Sequence, residues 1–208
     1  KLNLSGFHDI LTNIVFFFIS IFIFIFSIGP EKDTLSLVGI GILWTLLLLS
    51  STLSLRKFYQ DDFESGNITI MYLNGLSMEL ITVLKTLSHF IFVQIPFIIS
   101  IPVACILINI PLNKMYYLII SFLIGSLILS SLGSISSSMN LLNKRNYLLG
   151  SLMVMIFSIP VIIFSVGIIN LEENVNSLIS ILFGILLIVF AINPWASGTC
   201  LKLALENN

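Results

Sequence analysis

Residues 10–30 read ILTNIVFFFISIFIFIFSIGP, from Ile10 to Pro30, with no Asp, Glu, Lys, Arg or His anywhere in the run. A helix rises about 1.5 Å per residue, so a stretch of this length crosses a hydrocarbon core of about 30 Å. The run is rich in Phe and Ile, and it ends at Gly29-Pro30, a pair that breaks a helix. Glu31, Lys32 and Asp33 follow at once and belong in water. The stretch therefore reads as a membrane span.

The rest of the chain repeats the pattern. Of 208 residues, 57% are hydrophobic and 9% are charged, against about 25% charged in soluble domains. A core of ordinary size cannot bury that much apolar surface, and lipid must solvate the remainder. Further uncharged or nearly uncharged runs fall at 34–55, 86–110, 115–142, 147–169 and 175–200, the last expected to end near Asn193-Pro194-Trp195. The expected fold is an all-α polytopic membrane protein of six transmembrane helices in one transmembrane domain, residues 1–208. No repeat of solenoid period is visible. The formal net charge of −1 and the absence of a basic patch give no sign of nucleic-acid binding.

Lys and Arg placement orients the spans. One side receives Lys1, Arg56, Lys57, Lys85, Lys144, Arg145 and Lys202; the other receives only Lys32 and Lys114, with acidic Glu172 and Glu173. Both termini are expected in the cytoplasm of a bacterium, at its inner membrane, or in the matrix of a mitochondrion. The first residue is Lys1 and not Met, so an upstream piece is expected.

The 56–85 segment holds the longest polar stretch. Asp61, Asp62 and Glu64 lie close together and are followed by Gly66, which suits a helix C-cap because it tolerates the left-handed conformation. Asn67 is placed to cap a short piece, Ile68 to Leu73. Asn74-Gly75 signals a turn, and Ser77 with Glu79 opens the helix that becomes the third span. The plain alternative is a solvated connecting loop.

Motifs for chemistry on this chain are missing. No G-x-x-x-x-G-K-[ST] phosphate loop, H-E-x-x-H or G-x-S-x-G occurs. Cys105 and Cys200 lie far apart inside apolar runs and read as small core residues, not a disulfide or a metal pair. Asp61 and Asp62 lack a third ligand for a cation. His89 stands four residues after Lys85; it can line a polar cavity or touch haem, but a hydrogen bond to a neighbouring helix is the ordinary role. His8 reads as solvated. Pro96 and Pro102 are expected to kink the third span. The run Ser130-Ser131, Ser134, Ser136-Ser137-Ser138 with Gly133 suits close helix packing.

Several short motifs, in order, resemble one family. They are Phe26-Ser27-Ile28-Gly29-Pro30-Glu31, Gly41-Ile42-Leu43-Trp44, Leu49-Ser50-Ser51 and Tyr59-Gln60-Asp61-Asp62-Phe63-Glu64-Ser65-Gly66, followed by Lys85, His89, Pro96 and Pro102. The chain resembles the CcmB family, the haem exporter protein B of cytochrome c maturation, from roughly Phe16 to the C-terminus. The resemblance implies an ABC-type membrane subunit. A separate soluble ATPase, CcmA-like, would dock on the cytoplasmic side, bind the ATP and drive release of the haem-loaded chaperone CcmE. CcmC-like and CcmD-like membrane proteins would complete the assembly, with two copies of this chain. No resident cofactor is implied on the chain itself; whether it contacts haem stays open, since Trp44 and Trp195 are its only tryptophans and no Trp-rich haem signature is present.

The resemblance also implies a partner-binding coupling loop at 56–85. The family's Phe-x-x-Asp pattern, aligned through Gly66, falls on Tyr59 and Asp62, while Phe58 and Asp61 satisfy it one residue earlier. Ile68-Thr69 stands where a Leu-Glu pair is usual, and Gly75 where a proline is usual. The implied contact set is Phe58, Tyr59, Asp61, Asp62, Glu64 and Gly66, with an aromatic anchor and acidic partners for basic groups on the ATPase. The family usually starts with a longer basic amphipathic segment than this chain shows. An autonomous secondary transporter would instead show inverted repeats and a midplane polar site; a passive scaffold would show no dependence of ATPase turnover on this chain.

Overall fold

The structure is a computed structural model that describes residues 4–29, 31–55, 58–142, 147–170 and 174–207. Lys1, Pro30, Arg56, Lys57, Lys144, Arg145, Glu172 and Glu173, on which part of the charge and helix-break reading rests, lie outside the described residues, as does the His8 side chain. In chain order the helices are α1 (Leu4–Ile28), α2 (Lys32–Leu55), α3 (Gln60–Glu64), α4 (Asn67–Leu73), α5 (Met78–His89), α6 (Ile95–Ile108), α7 (Leu112–Leu142), α8 (Tyr147–Asn170) and α9 (Val175–Glu206). A π-helical turn, Phe90–Gln94, joins α5 to α6. Six helical stretches are long and apolar enough to cross a membrane, and no strand occurs among the described residues. The chain is a polytopic all-α membrane protein.

Local chemistry sets the breaks. Gly29 takes φ +99° after α1. Asn109 closes α6 in the left-handed conformation at φ 60°, and the Ile110 amide returns to the Cys105 carbonyl at 2.9 Å. Asn adopts that conformation at small cost. Pro96 offers no amide proton to the preceding turn and crowds its carbonyls, and the wide π turn just before it is the local response.

Ser77 caps the helix that becomes the third span, as the sequence indicates, so residues 78–85 at the end of the 56–85 segment are already helix. Two features differ from the sequence reading. The last helix does not end at Asn193-Pro194-Trp195 but runs through Pro194 to Glu206. Packing on both sides of the proline holds the helix across it: Asn193 and Ser197 are buried, and Gly198 lies against the backbone of Met78 and Glu79. Asn67 does not cap α4. It is the first residue of that helix, and its amide reaches back to Asp62 instead.

The central helix is α7, which packs against α2, α5, α6, α8 and α9; α1 packs on α2 and α6. The core is aliphatic and aromatic, with Phe17, Leu43, Trp44, Phe97, Ile101 and Phe122 fully enclosed. Outward residues such as Phe26, Leu37, Ile99 and Ile106 are large, apolar and exposed. That inversion is what lipid solvates. The serine run belongs to the packed face of α7. Ser131 and Ser138 return their hydroxyl protons to the carbonyls of Leu127 and Ile135 at 3.0 and 2.8 Å, while the buried Ser136 hydroxyl has no hydrogen-bond partner among the described residues. Side chains this small let the neighbouring helices approach closely.

Candidate functional site: a helical hairpin over a buried polar seam

The 58–77 stretch forms a compact hairpin of α3 and α4. Gly66 sits between them at φ 75°. The Ser65 amide reaches the Asp61 carbonyl at 3.0 Å and the Gly66 amide reaches Phe63 at 3.2 Å, closing α3 as a glycine cap does. Asn74-Gly75 turns the chain, with Gly75 at φ +91°. The Ser77 hydroxyl then accepts from the Leu80 amide at 3.3 Å and starts α5, with Glu79 in its first turn.

The implied contact residues do not share one face. Phe58 (6% exposed) and Tyr59 (0%) turn inward and pack in the bundle. Asp61 and Glu64 are exposed, and Glu64 accepts from Gln60 at 2.8 Å. Asp62 faces along the hairpin: it pairs with Lys85 of α5 and accepts from Asn67 at 3.2 Å. Gly66 shapes the turn and offers no side chain.

The 24 residues of α2 already reach about 36 Å, so α3 lies beyond the spanning part of the helix before it. Partial burial alone would raise the Asp62 carboxyl; the Lys85 hydrogen bond and charge, with the Asn67 amide, outweigh it and hold the group below the ordinary carboxylate value.

Under the hairpin runs a polar seam that sequence reading did not assemble. Tyr59 OH lies 2.7 Å from Ser134 Oγ on α7. Ser134 lies 3.2 Å from Ser197 on α9, and Ser197 lies 2.9 Å from Asn193 Oδ1. Asn193 Nδ2 donates to Thr86 Oγ1 on α5 at 2.9 Å. Deeper in the bundle, His89 contacts Ser54 through Nε2 at 2.9 Å and Ser130 through Nδ1 at 3.0 Å, with the Phe58 ring 4.7 Å away. Below it, Gln94 and Ser51 bond each other at 3.2–3.3 Å. His89 thus plays the neighbour-bonding role expected of it, to two helices at once. The missed members are Thr86, Gln94, Asn193 and Ser197. Single polar residues in separate apolar runs were visible, but nothing in one sequence pairs them.

Among the described residues no group of three His, Cys, Asp or Glu side chains is placed to hold a metal ion. The two cysteines are apart and unpaired with each other. The hairpin exposes Asp61 and Glu64 on α3 and Ile70, Tyr72 and Leu73 on α4, and is fixed to the bundle by hydrogen bonds inside.

Six apolar helices around such a seam define a multi-pass membrane protein, here with a short helical hairpin between its second and third spans. The chain belongs to the CcmB protein family, whose model it matches over residues 1–204. It is similar to Heme exporter protein B of Haemophilus influenzae, 28% identical over 202 residues, which is 96% of this chain and 91% of that one. It is 34% identical to Heme exporter protein B of Paracoccus denitrificans over 139 residues, 67% of this chain and 64% of that one. The match to the Rhodobacter capsulatus protein of the same name is 31% over 136 residues, 65% of this chain and 62% of that one. The latter two matches span less than two thirds of those relatives.

Proposed function

We propose that this chain is the non-catalytic membrane subunit of an ABC-type complex serving haem export or cytochrome c maturation. A separate CcmA-like ATPase binds and hydrolyses ATP. The α3–α4 hairpin carries its motion into the bundle, leading to release of the haem-loaded chaperone CcmE or to haem-related transport. CcmC-like and CcmD-like membrane proteins share the assembly, with two copies of this chain, and both termini lie in the cytoplasm or matrix. The observation that carries the reading is the family match along the chain, joined to an exposed hairpin bearing Asp61 and Glu64. Coupling requires differential contacts in two states, and a hairpin bonded to several helices is suited to it.

Asp61 and Glu64 are the cleaner docking candidates, because Asp62 is engaged inside the chain. The test is co-purification of the ATPase with the Asp61→Lys/Glu64→Lys chain in nanodiscs, beside holocytochrome yield. At least a tenfold loss of affinity is expected, equivalent to about 1.4 kcal/mol. Full retention of the ATPase with normal yield would overturn the assignment. Asp62→Lys, run beside it, reports docking and hairpin integrity together.

A further inference from the structure

One carbonyl sets the order of protons along the seam. Asn193 Oδ1 has no proton to give, so Ser197, 2.9 Å away, donates to it. The single Ser197 proton is then committed, and Ser134 donates to Ser197 at 3.2 Å. Ser134 has nothing left to offer Tyr59, so at 2.7 Å the tyrosine is the donor. On the far side Asn193 Nδ2 donates to Thr86, and Thr86 donates to the Thr82 carbonyl at 2.9 Å. The Thr82 and Thr86 hydroxyls also lie near Tyr59 OH. Neither donates to it, because Thr82 gives its proton to the Met78 carbonyl at 2.9 Å. The chain runs one way, from Tyr59 through α7 and α9 to α5. All its side chains are buried, so each proton needs a protein acceptor.

We propose that Tyr59 is a positioning residue, a latch that makes the α3–α4 hairpin move as one body with α5, α7 and α9. The tyrosine stands just before α3, at the root of the hairpin. Its donor bond is the point where the hairpin enters the chain of hydroxyls. The bond gives a force on the exposed carboxylates a direct path through α7 to α9, beside the path through the Asp62–Lys85 pair and α5. The functional part rests on the coupling reading above, while the mechanical part stands on geometry alone.

The test has two arms. In the first, hydrogen–deuterium exchange of the 60–75 region is measured on the full chain in nanodiscs, for wild type, Tyr59→Phe and Ser134→Ala. Tyr59→Phe keeps the ring in place and removes only the donor; Ser134→Ala removes the acceptor from the other side. Both variants are expected to speed hairpin exchange about five- to tenfold while α8 is unchanged. Unchanged hairpin exchange in both would overturn the latch. In the second arm, Tyr59→Phe is expected to retain the ATPase at wild-type level and lose holocytochrome yield at least fivefold, a split between docking and coupling. Wild-type yield with a loosened hairpin would overturn the coupling role of the latch. If wild type itself retains no ATPase, the coupling reading fails, and the exchange arm still decides the latch.

Discussion

Asn193 on α9 and Thr86 on α5 are 107 residues apart and meet in a 2.9 Å hydrogen bond, amide nitrogen to hydroxyl oxygen. The same amide accepts from Ser197 through its oxygen at 2.9 Å. One side chain thereby orders the hydroxyls of three helices, which is why its loss reaches further than one bond.

Asn193→Leu is expected to destabilise the chain. Interhelical hydrogen bonds in membranes are worth about 0.6–1.7 kcal/mol each; this substitution removes one, to Thr86, and with it the Ser197 bond within α9. Thermal unfolding in detergent, followed by helical circular dichroism, should show a lowered midpoint. Asn193→Gln, which keeps both chemical functions on a longer stem, should recover part of the loss. An unchanged midpoint for Asn193→Leu would show that the seam carries no stability.

The Lys85–Asp62 pair fastens α5 to the hairpin, and both side chains are 26% exposed. Reversing either charge leaves two like charges in contact, at an expected cost on the order of 1 kcal/mol, and exchanging both should restore most of it. The double-mutant cycle is read by protease cutting at the 58–77 hairpin. Because the Asp62 carboxyl is held below its ordinary value, its contribution is present above the unfolded carboxyl value of about 3.9. It is lost as pH falls through the lower folded value. Protease resistance of the hairpin should therefore be flat from neutral pH to about pH 5 and drop in stronger acid.

The Trp44 ring occupies the space that a side chain at Gly125 would need, and it packs on Phe122 with centroids 4.3 Å apart. The added methyl of Gly125→Ala would clash with the rigid indole and lie 3.2 Å from Val161, and is expected to cost about 1–3 kcal/mol. Trp44→Phe in the same chain should relieve part of that cost by shortening the ring. Trp44 is fully enclosed and Trp195 is 72% exposed on the outer surface; in a Trp195→Phe background the blue-shifted emission reports Trp44 alone. If Gly125→Ala leaves the blue-shifted component and the melting midpoint untouched, the packing assignment is wrong.

Both His89 ring nitrogens are occupied. Ser54 gives its proton to the Ser51 carbonyl at 2.7 Å, so Nε2 carries the ring proton and donates to Ser54, and Nδ1 accepts from Ser130. Iron ligation needs a free nitrogen lone pair. The purified chain alone is expected to bind haem weakly or not at all. A stoichiometric Soret band that survives purification and vanishes in His89→Ala would prove the opposite.

The sequence by itself determined the elements that depend on near neighbours and on solvent. Runs such as 10–30 are too apolar for water and too long for anything but a spanning helix. Gly66, the Asn74-Gly75 turn and the Ser77 cap were legible because each acts on backbone groups within four residues. The tertiary structure alone decided which polar side chains meet. In a series that offers Phe58, Tyr59, Asp61 and Asp62 within five residues, inward and outward differ by a helix rotation of about 100° per residue, and neighbouring helices choose the rotation. That choice turned Tyr59 toward Ser134, gave Asp62 to Lys85 and left Asp61 exposed. Pro194 was misread as a helix end for the same reason: its local preference is to stop, but contacts of Asn193, Ser197 and Gly198 with α5 and α7 hold α9 together across it. Hydrogen bonds between residues 63 to 107 positions apart depend on packing geometry, which no local pattern encodes.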